Sequence, residues 1–348
     1  NYPKEVFAAA MKKAAVLINL GSPKTTEVED VKEYLGEFLM DDHVIDFPKW
    51  ARTLLVKGII LNTRPKKSAK AYKTIWWDEG SPLIVLSERL VAKVCQHTKI
   101  PTFLAMRYAQ PSINNTLKVM TEEHPGLEEI YVVPLYPHFA MSSYETVVDR
   151  VKEVAAKGFP ELKLTFKEPW YDDHDYIKVL SSSIKEILPD DHHLLFSYHG
   201  IPVRHVKKSD CTGQHCYKVN DCCTVASAAH KVCYKHQTAV TTKLVAAELG
   251  LEEGTYETSY QSRLGRDPWI QPYTAQRFQE LAGEGKKKLA VVCPAFVSDC
   301  LETLEEINEE GREDFLHNSG EHFQPIACMN DRDDWAALLG KWISEWKT

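Results

Sequence analysis

Eight short apolar and β-branched runs punctuate the chain. They lie at 14–20, 102–106, 129–135 and 162–166, then at 194–198, 256–261, 289–293 and 323–327. Between them, apolar residues recur at three-to-four-residue spacing, as in 87–95, 112–123, 144–156, 239–249 and 300–308, the mark of helices with one buried face. Short strands alternating with amphipathic helices predict βαβ units and parallel sheets, an α/β fold. Four strands fall in each half, which suggests two similar halves with a boundary between 157 and 175. We divide the chain into domains at 11–165 and 166–333, with a tail at 334–348. In the tail Trp335, Leu338, Leu339, Trp342 and Trp346 stand at helical spacing, which predicts a closing helix that packs back on the first half.

Composition narrows the picture. At 348 residues, 44% hydrophobic and 26% charged, the chain is long enough for two soluble domains. Its formal net charge of −7 argues against nucleic acid as a partner, because phosphate binding needs clustered basic charge. No apolar run reaches the roughly 18 residues of a membrane-spanning helix. Residues 1–10 read as an added leader before a natural start at Met11, with no secretory signal. A cytoplasmic setting keeps the nine cysteines reduced and turns attention from disulfides to metal.

Open parallel sheets bind ligands at the carboxyl ends of their strands, so the residues just after each run carry the candidate chemistry. There is no GxGxxG and no GxxxxGK[ST], which leaves nucleotide binding without a motif. His199 ends the fifth run, and Asp299 and Glu302 open the helix after the seventh. At about 100° per residue, Asp299, Glu302, Glu306 and Glu310 form one acidic stripe. A solvated helix face is the plain explanation, yet like charges at this spacing repel, and a row of hard oxygen ligands suits hydrated divalent metal. Five cysteines crowd a short stretch as Cys211, Cys216, Cys222, Cys223 and Cys233. The spacing lacks the C-x2-C pairs of zinc sites and suits a four-thiolate iron–sulfur cluster at least as well. His215, His230 and His236 keep a mixed zinc site open. One cysteine is spare, and the adjacent Cys222 and Cys223 are expected to include it. Arg64, Tyr72, Trp76, Trp77, Arg107, Tyr108, Tyr136 and Trp269 flank strand ends, where aromatic faces can sandwich a flat ring and arginines can clamp carboxylates.

Several of these segments together resemble the ferrochelatases, which insert Fe(II) into protoporphyrin IX in the last step of haem synthesis. The resemblance covers residues 15–327. It rests on Ile18-Asn19-Leu20-Gly21-Ser22-Pro23, on Arg64 through Tyr72 to Gly80-Ser81-Pro82-Leu83, on Met106-Arg107-Tyr108 and on Pro134-Leu135-Tyr136-Pro137. It continues in Phe196-Ser197-Tyr198-His199-Gly200-Ile201-Pro202, in Gln261-Ser262-Arg263 through Trp269, and in Ser298-Asp299-Cys300-Leu301-Glu302-Thr303-Leu304. The resemblance implies two Rossmann-like domains of chelatase-like form, each a four-stranded parallel sheet flanked by helices, with a porphyrin cleft between them. It implies a catalytic pair of His199 and Glu302, and a metal path through those two with Asp299, Glu306 and Glu310. It implies substrate contacts from Leu20, Arg64, Tyr72, Ser81, Arg107, Tyr108 and Trp269. Some bacterial members carry a [2Fe–2S] cluster on cysteines inserted after the histidine motif, which favours four of the five cysteines in 205–238 as its ligands, with zinc the alternative. Many members have histidine where this chain has Cys300, and the late cysteine group of the animal enzymes has no counterpart.

The expected partners are therefore protoporphyrin IX and Fe(II). Two rivals are a chelatase for coproporphyrin or another tetrapyrrole, and a non-catalytic haem-binding or redox-sensing protein. Whether His199 accepts pyrrole protons or binds the iron is open in the sequence. The segment 34–61, with Phe38, Leu39, Met40, Phe47, Trp50, Leu54, Leu55, Ile59 and Ile60, is apolar but broken by Asp41, Asp42 and Pro48. It reads either as a cleft lip touching the inner face of a membrane or as ordinary helix packing.

Overall fold

The computed structural model describes residues 11–347; the reading of residues 1–10 as a leader lies outside them. All eight expected strands form, each within one residue of its expected limits. β1 (Lys13–Asn19), β2 (Thr102–Met106), β3 (Glu129–Pro134) and β4 (Lys163–Phe166) make one parallel sheet in the order β2-β1-β3-β4. β5 (His193–His199), β6 (Tyr256–Gln261), β7 (Lys288–Val292) and β8 (His322–Ile326) repeat that order as β6-β5-β7-β8. In each sheet the winding reverses beside the first strand, so a crevice opens where β1 and β3, or β5 and β7, end.

Helices start and stop where the sequence provides for it. Asp173 caps helix His174–Lys185 by accepting from the N–H groups of Asp175 and Tyr176, both at 3.1 Å, which satisfies donors the first turn leaves free. Pro65 and Pro82 open helices Pro65–Ile75 and Pro82–His97, where a missing N–H costs nothing. Gly250, left-handed at φ 66°, ends helix Tyr234–Leu249.

Strand alternation sorts the side chains into cores. Ala14, Val16 and Ile18 pack on the outer face of the first sheet with Leu117 and Val151. Leu195, Leu289 and Val291 do the same on the second sheet with Phe278 and Phe315. The inner faces meet in one shared core, in which Ala15, Leu17, Tyr131 and Val133 of the first sheet join Leu194, Phe196, Tyr198 and Val292 of the second. Helix Asp333–Glu345 and the loop at Trp170 fill this seam. Trp170 packs against Trp335 at 5.3 Å, Trp342 at 5.4 Å and Tyr176 at 4.7 Å, and Trp346 stacks on Tyr131 at 5.0 Å. A buried indole removes about 150–250 Å² from water, worth up to about 4–6 kcal/mol each. The same helix packs on Pro82–His97, closely enough that a methyl at Gly340 would sit 2.5 Å from His97 Cβ.

One helical expectation fails in detail. The stretch expected as an α-helix at 300–308 instead runs from Glu302 to Gly311 with i→i+5 bonding, and Leu54–Ile60 and Met141–Glu145 wind the same wide way. Such turns collect at functional sites. Among the described residues, no helix is long and apolar enough to cross a membrane.

Candidate functional site

His199 is the last residue of β5, paired with Gln261 on β6. The next residue must be glycine: a Cβ at Gly200 would lie 2.8 Å from the carbonyl oxygen of Gln261 and 3.2 Å from the Trp269 ring. The turn is pinned by the Gly200 N–H donating to Gln261 O at 2.8 Å. It is covered by Trp269, whose backbone bridges to Pro202. His199 Nδ1 lies 2.6 Å from Gly200 O. A carbonyl only accepts, so Nδ1 is the donor, and in the neutral imidazole Nε2 keeps the lone pair. Phe296, from the loop after β7, meets the imidazole edge-on at 6.2 Å.

The acidic residues follow from that same loop, and they do not form the expected stripe. Asp299 is buried and precedes the helix. Its carboxylate accepts from the Thr303 hydroxyl at 2.9 Å, the Asn330 amide at 2.7 Å and the Cys328 N–H at 3.4 Å, so it anchors the loop. Glu306 is gripped by Ser262, whose N–H donates at 2.8 Å and whose hydroxyl donates at 2.5 Å. Gln261 links the helix to β6 by donating to the Glu302 carbonyl at 3.0 Å. Burial raises the Glu306 carboxyl; Ser262 and the charge of His199 oppose the rise, and Glu302 adds to it. The three therefore share one electrostatic neighbourhood. Glu310 is exposed at the far end. Glu305, absent from the sequence-based set, is half-buried and raised to about 7, by burial first and then by Glu310, Glu309 and Glu306. The Glu305-Glu306 doublet inside an amphipathic helix was its one sequence signal.

Glu302 reaches the other half of the molecule. Its charge bears on the phenols of Tyr34, Tyr72 and Tyr136, all raised chiefly by burial. It also accepts a hydrogen bond from Cys300, whose thiol burial pushes well up. Leu301 and Leu304 pack with Leu20, Tyr34, Tyr72 and Tyr108. Arg64 stands half-buried before helix Pro65–Ile75, its charge felt by Tyr72. Ser81 is buried at the start of helix Pro82–His97. Arg107 and Tyr108 differ from expectation. Arg107 donates to Asp41 at 2.5 Å and to the Thr146 hydroxyl at 2.7 Å, and Tyr108 is fully buried and donates to Asp41 at 2.7 Å. Both side chains are therefore tied to Asp41. Burial would raise Asp41, but hydrogen bonds from His43, Thr146 and Tyr108 and the charge of Arg107 hold it well below the usual carboxylate range. His43 sits among Asp41, Asp42 and Asp149 at 3.0–3.2 Å. Asp41, Asp42 and His43 are spaced like metal ligands, but Asp41 is already engaged by Arg107, Tyr108 and Thr146. Two cavities of about 630 and 770 Å³ lie elsewhere, around Arg332 and around His193.

The cysteine insertion is folded tightly against helix Tyr234–Leu249. Asp210 organises its first loop by accepting from the N–H groups of Thr212, His215 and Cys216 at 2.8–2.9 Å. The thiols of Cys216, Cys222, Cys223 and Cys233 are neighbours that act on one another's titration, Cys216 with Cys233, and Cys223 with Cys233 and Cys222. Burial raises the Cys216 thiol; the bond to Cys233 and then burial raise that of Cys223. Cys211 is exposed. Exposure thus sets Cys211 apart from the other four, whereas the sequence pointed to Cys222 or Cys223 as the spare. His215 and His230 lie at 2.7 and 2.8 Å from the Cys222 carbonyl, and His236 lies at 2.7 Å from that of Cys223. Each imidazole therefore braces backbone.

The segment after helix Val28–Leu39 forms a knob. Trp50 is 74% exposed, Leu54 65% and Ile59 57%. Its base is tied to helix Val203–Ser209, just beyond His199, through Asp46, which accepts from Arg204 Nε at 2.8 Å and lies 3.2 Å from His205 Nε2.

Comparison with known proteins agrees with this layout. The family model described as Ferrochelatase matches residues 12–346. The ferrochelatase of Pseudomonas fluorescens (strain Pf0-1) is 48% identical over 330 residues, covering 94% of this chain and 96% of that protein. The ferrochelatase of Opitutus terrae is 45% identical over 338 residues, covering 96% and 97%. Among solved structures, SirB from Bacillus subtilis with Fe3+ is similar at a TM-score of 0.54, with 13% identity and 96% coverage of both chains, a likeness of fold.

The Asp41–His43 network sets a pH dependence. Hydrogen bonding to Asp41 is the main cause that raises His43 from 6.5 to about 9. The stability it confers is complete below pH 6.5 and drains away as pH climbs to about 9. Urea titrations are expected to show a loss of about 1–2 kcal/mol across that window, allowing for solvent screening of a half-buried group. In His43→Gln the slope should flatten; an unchanged slope contradicts the assignment.

Proposed function

This chain belongs to the ferrochelatase family, and we propose that its His199 and Glu302 are the reacting pair that inserts Fe(II) into protoporphyrin IX to give protohaem. The observation that carries the proposal is convergence. A strand-end imidazole with a free Nε2 shares one neighbourhood with carboxylates from another strand end, and one of those carboxylates bears on tyrosines of the opposite half.

Insertion requires two pyrrole protons to leave while Fe(II) sheds water. A flat macrocycle hides its nitrogen lone pairs, so the site must favour a puckered ring. The ring lies between the halves, flanked by Leu20, Tyr72, Ser81 and Trp269, with Arg64 pairing a propionate. Arg107 and Tyr108 hold the wall behind it. His199 Nε2 accepts a pyrrole proton, and the Glu302 carboxylate balances the imidazolium that results. Glu306, Glu305 and Glu310 lead outward; a carboxyl near 7 such as Glu305 both takes and releases protons at neutral pH. The row disperses protons and guides hydrated Fe(II) inward, while Asp299 fixes its start.

The four thiols of Cys216, Cys222, Cys223 and Cys233 fit a metal centre; His215, His230 and His236 each spend one ring nitrogen on a carbonyl and keep the other, so zinc with mixed ligands is the alternative the test below separates. Four neighbouring sulfurs suit two irons, each with two thiolates, so these four cysteines are assigned to a [2Fe–2S] cluster. When bound, such a centre supplies four metal–sulfur bonds and a redox-active charge. The exposed knob at Trp50, Leu54 and Ile59, beside Lys49 and Lys57, suits a peripheral lip on an anionic membrane surface, where an apolar substrate arrives.

Three measurements test this reading. Insertion of Fe(II) or Zn(II) into protoporphyrin should fall about 100-fold or more in His199→Ala; near-normal turnover removes His199 from the reaction. Turnover of coproporphyrin alone would reassign the substrate, and binding without turnover would make the protein a passive carrier. Anaerobically purified protein should absorb in the visible, keep that colour in Cys211→Ser and lose it in Cys216→Ser, whereas colourless protein with one zinc refutes the cluster. Liposomes with anionic lipid should float the protein but not Trp50→Glu; equal flotation of both denies the lip its role.

A further inference from the structure

The carbonyl of His199 accepts a hydrogen bond of 2.8 Å from the phenol of Tyr234. Tyr234 is the first residue of helix Tyr234–Leu249 and is 5% exposed. The His138 ring, from the loop after β3, packs edge-on against it at 5.9 Å. The residue before it is Cys233, which caps the helix, accepts from the Gln237 N–H at 3.0 Å, and has its thiol beside those of Cys216 and Cys223. One step along the chain therefore separates the cysteine group from the bond that holds the active-site turn.

That bond governs where the imidazole points. The peptide between His199 and Gly200 is fixed by its own carbonyl on Tyr234 and by the Gly200 N–H on Gln261 O at 2.8 Å. The Gly200 carbonyl, carried on the next peptide, receives the Nδ1 proton at 2.6 Å. If Tyr234 lets go, the peptide can tilt. Gly200 O then moves with it, and the anchor that aims Nε2 is lost. Gly200 has no side chain to resist the rotation.

We infer that Tyr234 is a positioning residue for His199, and that it makes the aim of the imidazole depend on whether Cys216, Cys222, Cys223 and Cys233 are gathered on their metal. The link is mechanical; no electron or proton passes along it. It rests on the ferrochelatase reading for the task of His199. It goes beyond that reading by giving the metal centre a structural effect on the reaction turn.

The test compares wild type with Tyr234→Phe, each as purified and after the metal is removed with a chelator under reducing conditions. The Phe variant keeps the ring and loses only the hydroxyl. It should retain wild-type metal content and visible spectrum, bind protoporphyrin within about twofold by fluorescence, and turn over about tenfold more slowly with KM little changed, the share of one aimed hydrogen bond. Hydrogen exchange of a peptide spanning His199 and Gly200 should speed up in the variant. Stripping the metal should slow turnover and speed that exchange in wild type, with little further change in Tyr234→Phe. Wild-type exchange and turnover in the variant overturn the inference, as does metal removal that affects both proteins equally, or wild type that carries no metal. If wild type inserts no metal into any porphyrin, the chelatase reading fails, while the exchange comparison still decides whether Tyr234 couples the two places.

Discussion

The structure depends on one apolar seam. The inner faces of both sheets share a single core, closed by Trp170, Trp335 and Trp342, so neither sheet can shift without exposing indole and aliphatic surface. This fixes the two sets of strand ends relative to each other. Independent domains joined by a linker would vary in their spacing by several ångströms. Here Glu302 on one side is held within electrostatic reach of Tyr34, Tyr72 and Tyr136 on the other. Groups that react together need such tolerance, because small misplacement is costly in catalysis.

On that frame, burial supplies the chemistry. Glu305 and Glu306 lie half-buried in a row of like charges, so both are raised, and Glu305, at about 7, exchanges protons near neutrality where a carboxyl in water would be fully ionised. The Asp41 carboxylate shows the opposite outcome under similar burial, since Arg107, His43 and two hydroxyls crowd it. The contrast is one of partners: the wall is built from a satisfied ion pair, and the working face from acids that lack one.

Much of this was legible in the chain. The strands announce themselves as short apolar or β-branched runs, clearest in β1, β3, β5 and β7, which are buried along almost their whole length, and the resemblance drew His199, Glu302, Arg64 and Trp269 from segments far apart in sequence. The failures have physical causes. A stripe drawn at about 100° per residue assumes i→i+4 bonding, and the helix from Glu302 winds more widely. Asp299, apt as a ligand by type, is consumed by Thr303 and Asn330. Arg107 is consumed by Asp41, a partner 66 residues away. Adjacency of Cys222 and Cys223 gave no sign that three histidines would hold their carbonyls.

The wide turns from Glu302 to Gly311 carry a consequence for how this segment can evolve. Each i→i+5 turn accommodates one residue more than an α-helical turn, so side-chain replacement leaves its path intact while a change of length does not. Deleting one residue would let the coil tighten toward i→i+4 bonding and change the direction in which Glu306 and Glu310 point. Lineages are thus free to vary the letters here but not their number, and gaps should be rarer in this helix than in its neighbours.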